Sequence, residues 1–473
     1  MAFNAVVYTA TNAVSVLMSD SWFFVETFLI SYYERGLTLG SLLTKRSSVD
    51  HAAPVQKLIL LADARLFDLD FRMEGLFSVF IAILTIALLG LVMKAASQSR
   101  VMDGWFWVAV SAITAIYLSM NATVVFDWPL VSLYFVVLLL VFAFFAAVAH
   151  ALTSGRYWLA ALAGFVCFVG ADDIGLLALL SASAMIGLAW LRKDASASRA
   201  MRTLAAIGVA MLASRVLYAI YGGGLSGGGT MSTIDRLSAL WALGIRGLAD
   251  AGIVIASAPI VHRAQLPDAH GYALQVCVAL AVLALHVWFW TRQWRTRCPT
   301  LLTRLAAAMM VFAYLLAGGI LYGRVSQLGL DYLNAPRYVQ FYGLCMVAII
   351  LQFHAAVSTV ETRSSISASK GVLLGLSIAL VSLQLHYINR AWKFAPFAAE
   401  YERNLALDIG KAADPRNVQP LQCLPHIVIC RQPYAMRKNV VEFLQTRQLN
   451  VFSWRLQRLR RLYPNEAGQA AAP

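Results

Sequence analysis

The sequence predicts an all-α membrane protein, and three observations carry that prediction. Hydrophobic residues fill 60% of the 473 positions and charged residues only 13%, against about 45–50% and about 25% in soluble domains. Apolar runs near the ~20 residues that cross a bilayer as a helix recur along the whole chain. The basic residues fall mainly in the short intervals between those runs, where they govern membrane orientation. The net charge of +14 therefore does not point to nucleic acid, and no such partner is expected. The basic amphipathic stretch Trp454–Leu462 reads as a segment that lies on anionic lipid or packs on the protein.

In chain order the candidate spans are Phe3–Met18, Gly75–Ala96, Gly104–Met120, Pro129–Thr153, Tyr157–Gly170, Ile174–Leu191, Thr203–Tyr221, Gly271–Trp290, Leu302–Tyr322, Tyr338–Val357 and Val372–Ile388. By length these are about eleven transmembrane helices. Phe3–Met18 lacks the basic flank and small-residue cleavage site of a signal peptide and reads as a short first span. Tyr157–Gly170 is also short and is expected to pair with the next span as a helical hairpin.

Loop charge orients these spans. Lys94, Arg100, Arg156, Arg192, Lys193, Arg199, Arg202, Arg292, Arg295, Arg297, Arg304, Arg363 and Lys370 all fall on one side, which the positive-inside rule makes cytoplasmic. The opposite side receives Asp20–Glu74, Asn121–Trp128, Asp172-Asp173, Gly222–His270, Arg324–Arg337 and the chain beyond Asn389. The predicted organisation is a polytopic domain over residues 1–392 and a small extracytoplasmic region over 393–473. Within the first outer loop, Trp22–Tyr33 and Val55–Phe67 space their apolar residues as amphipathic helices do and are expected to lie on the membrane. Cys423 and Cys430 fall in the C-terminal region, where an oxidising compartment permits a disulfide. Asn121-Ala122-Thr123 has the pattern of a glycosylation acceptor.

The candidate chemical groups gather on the extracytoplasmic side. Asp20 closes the first span, and Asp50-His51 lies in the same loop with Pro54 stiffening the turn after it. Two such groups brought to a membrane-edge cavity supply a base and its helper; the competing reading is an interfacial carboxylate and a solvated loop. Asp172-Asp173 sits at the hairpin hinge. One of the pair caps the following helix well, which leaves the other for a sugar or a cation. No HExxH, CxxC or further acid accompanies it, so no metal or cofactor is assigned, and a divalent cation stays an option. Arg215 lies within a span, Arg324 ends one and Arg337-Tyr338 begins the next. Arginine is the preferred fork for phosphate oxygens, with snorkelling to headgroups as its alternative use.

This pattern resembles the GT-C superfamily of integral membrane glycosyltransferases. The resemblance rests on the span count, the acid just outside the first span, the amphipathic first outer loop and the extracytoplasmic C-terminal part. Two stretches carry it in detail. Asp20–Leu61, which contains DSWFFVETFL, SYYERG and KRSSVDHAAPVQKLILL, looks like the first outer loop of bacterial GT-C-like proteins. GRVSQLGLDYLNAPRY, Gly323–Tyr338, looks like their Arg-rich outer loop. Many members carry an Asp-Glu pair after the first span; here Ser19-Asp20 stands in its place, so the base is open between Asp20 and Asp50. The resemblance implies a polyprenyl-phosphate-linked sugar donor, its phosphate held by Arg215, Arg324 or Arg337. It further implies a glycan or lipid acceptor in the cell envelope and residence in a bacterial inner membrane. An O-antigen-type polymerase or ligase is the nearest alternative. A secondary transporter or lipid flippase is the next, and it would place its charges near the bilayer midplane.

Overall fold

A computed structural model describes residues 1–45, 51–96, 103–222, 231–263, 269–296, 299–358, 363–413, 430 and 434–460. All regular structure among them is helical. Among the described residues nine helices are long and apolar enough to cross a membrane, or ten if one bent pair counts as a span, so the chain is a multi-pass membrane protein. The most enclosed of these segments, Pro336–Ser358, is 89% buried. It packs against the Leu301–Ile320 and Gly104–Tyr117 helices.

Two of the expected spans differ. Phe3–Met18 is helical only over Ala2–Asn12, about 16 Å of helix, and continues as irregular backbone. Tyr157–Gly170 has 14 residues and forms, with Asp173–Leu191, the expected hairpin around Ala171-Asp172. Apolar composition is not enough for a span at the N-terminus, because residues far away in sequence take up its backbone groups. Val14 N donates to the Asp127 carbonyl at 2.9 Å, and Phe71 N to the Ser15 carbonyl at 3.4 Å. Ser15 N donates to Glu402 Oε1 at 2.8 Å, and Leu17 N to Asn450 Oδ1 at 3.0 Å. Ala13–Met18 is thus a buried strap that delivers Ser19 and Asp20 to a fixed place.

Glu402 lies on the helix Arg363–Ala413, whose 51 residues run without a break past Trp392 and Lys393. Asn450 follows the helix Tyr434–Thr446. Cys430 is buried and disulfide-bonded; Cys423 lies outside the described residues. The first-loop helices are present as Ser21–Phe24 continuing through a π-turn, Val25–Leu29, into Ile30–Arg35, and as Pro54–Leu66. Their apolar faces, including Trp22, Phe28 and Leu60, are buried in the protein. Thr233–Ala242 and Gly244–Ser257 bend by 92° at Leu243.

Polar contacts sort the helix ends into two sets. At one end Arg192 donates to the Gln293 and Thr296 carbonyls, Arg304 Nη2 lies 3.5 Å from the Asp194 carbonyl and Lys370 sits over the Trp105 ring. At the other, Gln384 bonds Ser119 and Met120, and His262 Nε2 meets the Asn334 carbonyl at 2.8 Å. Asn121 Nδ2 donates to the Ala258 carbonyl there at 2.8 Å. Asn121 is 2% exposed, so its side-chain nitrogen caps a neighbouring chain segment and is not presented as a glycosylation acceptor.

Candidate functional site

The site lies at the end of the helices that carries Asp20. A cavity of about 380 Å³ opens there, and Asp20, His51, Arg324, Arg337 and Tyr338 line it together with Lys57, Trp128, Tyr134 and Tyr332. Five predicted residues, from two loops far apart in sequence, therefore line one cavity. Asp50 lies outside the described residues.

Local backbone geometry explains how each side chain gets there. Asp20 follows Ser19, which has φ 51°, a left-handed conformation that costs a non-glycine residue energy. The strap anchored by Glu402 and Asn450 holds it there. Arg324 sits in a π-turn, Leu321–Val325; the extra residue in the turn re-aims a side chain that a regular helix would point elsewhere. Among the described residues Arg324 makes no hydrogen bond or salt bridge, and its charge acts on Tyr134 across the cavity. Arg337 is stacked between aromatic rings, 5.1 Å from the Tyr332 centroid and 5.3 Å from that of Tyr338, and also donates to the Tyr332 hydroxyl. Such stacking fixes the guanidinium plane. Lys57 is not a free cation: its ammonium donates to the carbonyls of Ser41, Leu42 and Thr44 at 3.0, 3.0 and 2.7 Å. It thereby ties down the end of the Leu39–Leu43 helix and sets the position of Lys45.

A second, apolar chamber of about 70 Å³ adjoins the first. Val55, Ile59, Leu133, Val136, Val137 and Ile174 line it, and His51, Ala53, Gln56, Leu130 and Tyr134 belong to both chambers. A Cβ at Gly170, on its wall, would lie 2.6 Å from Leu140 Cδ1 and 3.1 Å from Val55 Cγ2, so a larger residue there would have to shift those side chains.

The hinge acids form a compensated cluster beside the cavity. Asp172 is 1% exposed, with φ 47°, and its Oδ2 accepts from Ala52 N at 2.9 Å. Lys45 Nζ lies 3.0 Å from Asp173 Oδ2 and 3.4 Å from Asp172 Oδ2. His51 Nδ1 is 3.6 Å from Asp173 Oδ2. Arg215 Nη1 lies 4.0 and 3.9 Å from the two carboxylates, and its Nη2 donates to the Asp172 carbonyl at 3.3 Å. Burial alone would lower the Lys45 pKa, but the hydrogen bond to Asp173 and the charge of both acids outweigh it and raise it. His51, Asp172 and Asp173 bring one ligand atom each within 4.8 Å of one another, a spacing that can hold a cation. Lys45 and Arg215 already supply positive charge at those oxygens, so a metal would have to displace the ammonium.

The placement of Arg215 differs from the sequence expectation. It does not line the charged cavity; it braces Asp172 and Asp173. Asp172 borders the apolar chamber, and His51 joins the cluster to the cavity. Sequence reasoning did not single out Lys45, Lys57, Tyr134 or Tyr332. Lys45 and Tyr332 were visible within the two stretches that carry the resemblance, whereas nothing in the sequence marked Tyr134.

One further acid supports the wall. Asp127 precedes the cavity residue Trp128, and its carbonyl holds the strap at Val14. Burial pushes its carboxyl pKa up to about 7, against hydrogen bonds from Tyr8 and Thr123 that lower it.

No family model, curated protein or solved structure matches the chain.

Proposed function

We propose that the protein is a GT-C-type glycosyltransferase that moves a sugar from a polyprenyl-phosphate carrier to a cell-envelope glycan or lipid acceptor on the extracytoplasmic face of a bacterial inner membrane. One observation carries this reading: among the described residues a carboxylate, Asp20, and two positioned guanidiniums, Arg324 and Arg337, share a cavity that adjoins an apolar chamber. An amphiphilic phosphate ester matches that division of polar and apolar surface.

In the proposed reaction, Asp20 accepts the proton of an acceptor hydroxyl, because a hydroxyl is a weak nucleophile without a base. The hydroxyl oxygen bonds to the anomeric carbon as the bond from that carbon to the phosphate oxygen breaks. The leaving phosphate takes the electron pair, and Arg324 and Arg337 stabilise its charge. Asp50 is the alternative base. His51 orients the acceptor or the carboxylate. Positive side chains supply electrostatic stabilisation, and a divalent cation stays an option beside them.

The test is turnover of polyprenyl-phosphate sugars by the purified protein, comparing wild type with Asp20→Asn and Asp50→Asn. Release of polyprenyl phosphate that depends on one of these acids supports the reading. Turnover unaffected by both changes removes the assigned base. Movement of the intact lipid-linked sugar across a vesicle bilayer without cleavage favours the flippase alternative.

A further inference from the structure

A second cluster of unneutralised charge lies away from the cavity, where the first loop meets the C-terminal helices. Arg65 and Arg447 both stack on Tyr33, with guanidinium carbons 5.1 and 4.9 Å from its ring centroid. Arg65 gives Nε and Nη2 to the Tyr32 hydroxyl at 3.2 and 2.8 Å. Among the described residues neither guanidinium is paired with a carboxylate. Of the neighbouring acids, Glu442 lies 3.5 Å from Lys438, and Asp68, whose Oδ2 accepts from Ser453 at 3.0 Å, acts on Tyr33 as well but leaves the arginines in excess. Arg455 extends the patch, with its guanidinium 5.7 Å from the Phe67 ring and donating to the Leu66 carbonyl at 3.4 Å. Two like charges on one ring repel unless an anion lies between or beside them.

Depth and apolar neighbours indicate what that anion is. Asp68 and Asn450 join these elements just before Phe71, where a membrane-spanning helix begins. The start of such a helix is where lipid headgroups are expected. Leu66 and Trp454, both 66% exposed, flank the arginines. Basic residues interleaved with exposed apolar and Trp side chains at that depth are the composition of a surface that sits on anionic lipid.

We propose that Tyr33, Arg65, Arg447 and Arg455 form a binding site for the phosphate of an anionic phospholipid headgroup, which clamps the first loop and the C-terminal helices to the bilayer. This inference is independent of the proposed reaction. The full chain in neutral-detergent micelles is titrated with fluorescent phosphatidylglycerol and, separately, phosphatidylcholine. Phosphatidylglycerol is expected to bind at least tenfold more tightly, and its affinity to fall as salt rises. Arg65→Gln with Arg447→Gln should bring it to the phosphatidylcholine level. Arg447→Gln alone, at an exposed side chain, should weaken it several-fold and keeps the test open should the double variant fail to fold. Equal binding of the two lipids, or unchanged binding by Arg447→Gln, overturns the proposal. Displacement of phosphatidylglycerol by an acidic polysaccharide at lower concentration than the lipid overturns it too, and assigns the surface to a glycan.

Discussion

Lys45 Nζ lies 3.0 Å from Asp173 Oδ2, across a gap of 128 residues, and this contact joins the first loop to the hairpin hinge. Lys57 makes it possible by holding the three carbonyls that precede Lys45. Lys45→Ala leaves Asp172 and Asp173 facing each other with only Arg215 and His51 nearby. Because Lys45 is partly exposed, the expected loss of stability is about 1 kcal/mol, read as a lower unfolding temperature in detergent. Removing the ammonium also frees the three-ligand cluster, so Lys45→Ala should gain thermal stabilisation by millimolar Mg²⁺ or Mn²⁺ that wild type does not show. Equal metal stabilisation of both proteins would mean that Lys45 does not occupy the cation position.

The raised pKa of Lys45 has a defined pH window. A lysine whose folded pKa exceeds its unfolded value contributes stability that is complete below the unfolded pKa and is lost as pH rises through the folded one. The contact should therefore be insensitive to pH across the neutral range and weaken only in strongly alkaline solution. A wild-type minus Lys45→Ala difference that vanished near pH 8 would contradict this.

Asn450 is the hub of the strap. Its Nδ2 donates to the carbonyls of Ser15 and Leu69 at 2.9 and 2.7 Å, and its Oδ1 accepts from Leu17 N at 3.0 Å. Its φ of 54° lies in a region that asparagine tolerates better than most residues. Asn450→Ala removes all three bonds and leaves buried backbone groups without partners, at a cost of about 2–4 kcal/mol. Because the strap ends at Asp20, accelerated proteolysis in the first loop should accompany the lower unfolding temperature.

These long-range contacts explain what the sequence could and could not disclose. The long spans were legible because a helix in lipid satisfies its own backbone, so local composition suffices. Ala13–Met18 is equally apolar, but Glu402 and Asn450 take up its backbone groups from 387 to 435 residues away, and no local pattern signals that. The shared placement of Asp20, Arg324 and Arg337 followed from loops on one side of the membrane. Arg215 was legible as a buried cation needing an anion, but not which anion: Asp172 and Asp173 lie at the neighbouring hinge. Lys45, beside Arg46, carries no local pattern that signals its contact with Asp173.

Asp127 gives the protein a stability that depends on pH near neutrality. Its carboxyl pKa, raised by burial to about 7, exceeds the unfolded value of about 3.9. Between those values the folded state holds a proton that the unfolded state has released, so stability falls as pH rises through the window and levels off above it. Unfolding temperature should drop from pH 5 to pH 8. Asp127→Asn, which keeps a side-chain acceptor for Tyr8 and cannot ionise, should flatten that slope and be the more stable protein at pH 8.

Arg324 separates the catalytic proposal from a structural account of the same residues. Its side chain is exposed, lines the cavity and makes no hydrogen bond or salt bridge among the described residues, so Arg324→Ala should leave the folding stability within about 0.5 kcal/mol of wild type. If it stabilises a leaving phosphate, the same change should lower turnover of a polyprenyl-phosphate sugar by about 10²–10³-fold. Arg324→Lys should recover part of the loss, because lysine restores the charge but not the bidentate fork. Arg337→Ala should differ by also costing stability, since it unstacks Tyr332 and Tyr338. Asp20→Asn should lower turnover by about 10²–10⁴-fold without lowering the unfolding temperature. A turnover loss in Arg324→Ala that tracked a loss of folded protein, rather than appearing in a protein of wild-type stability, would reduce Arg324 to a structural residue.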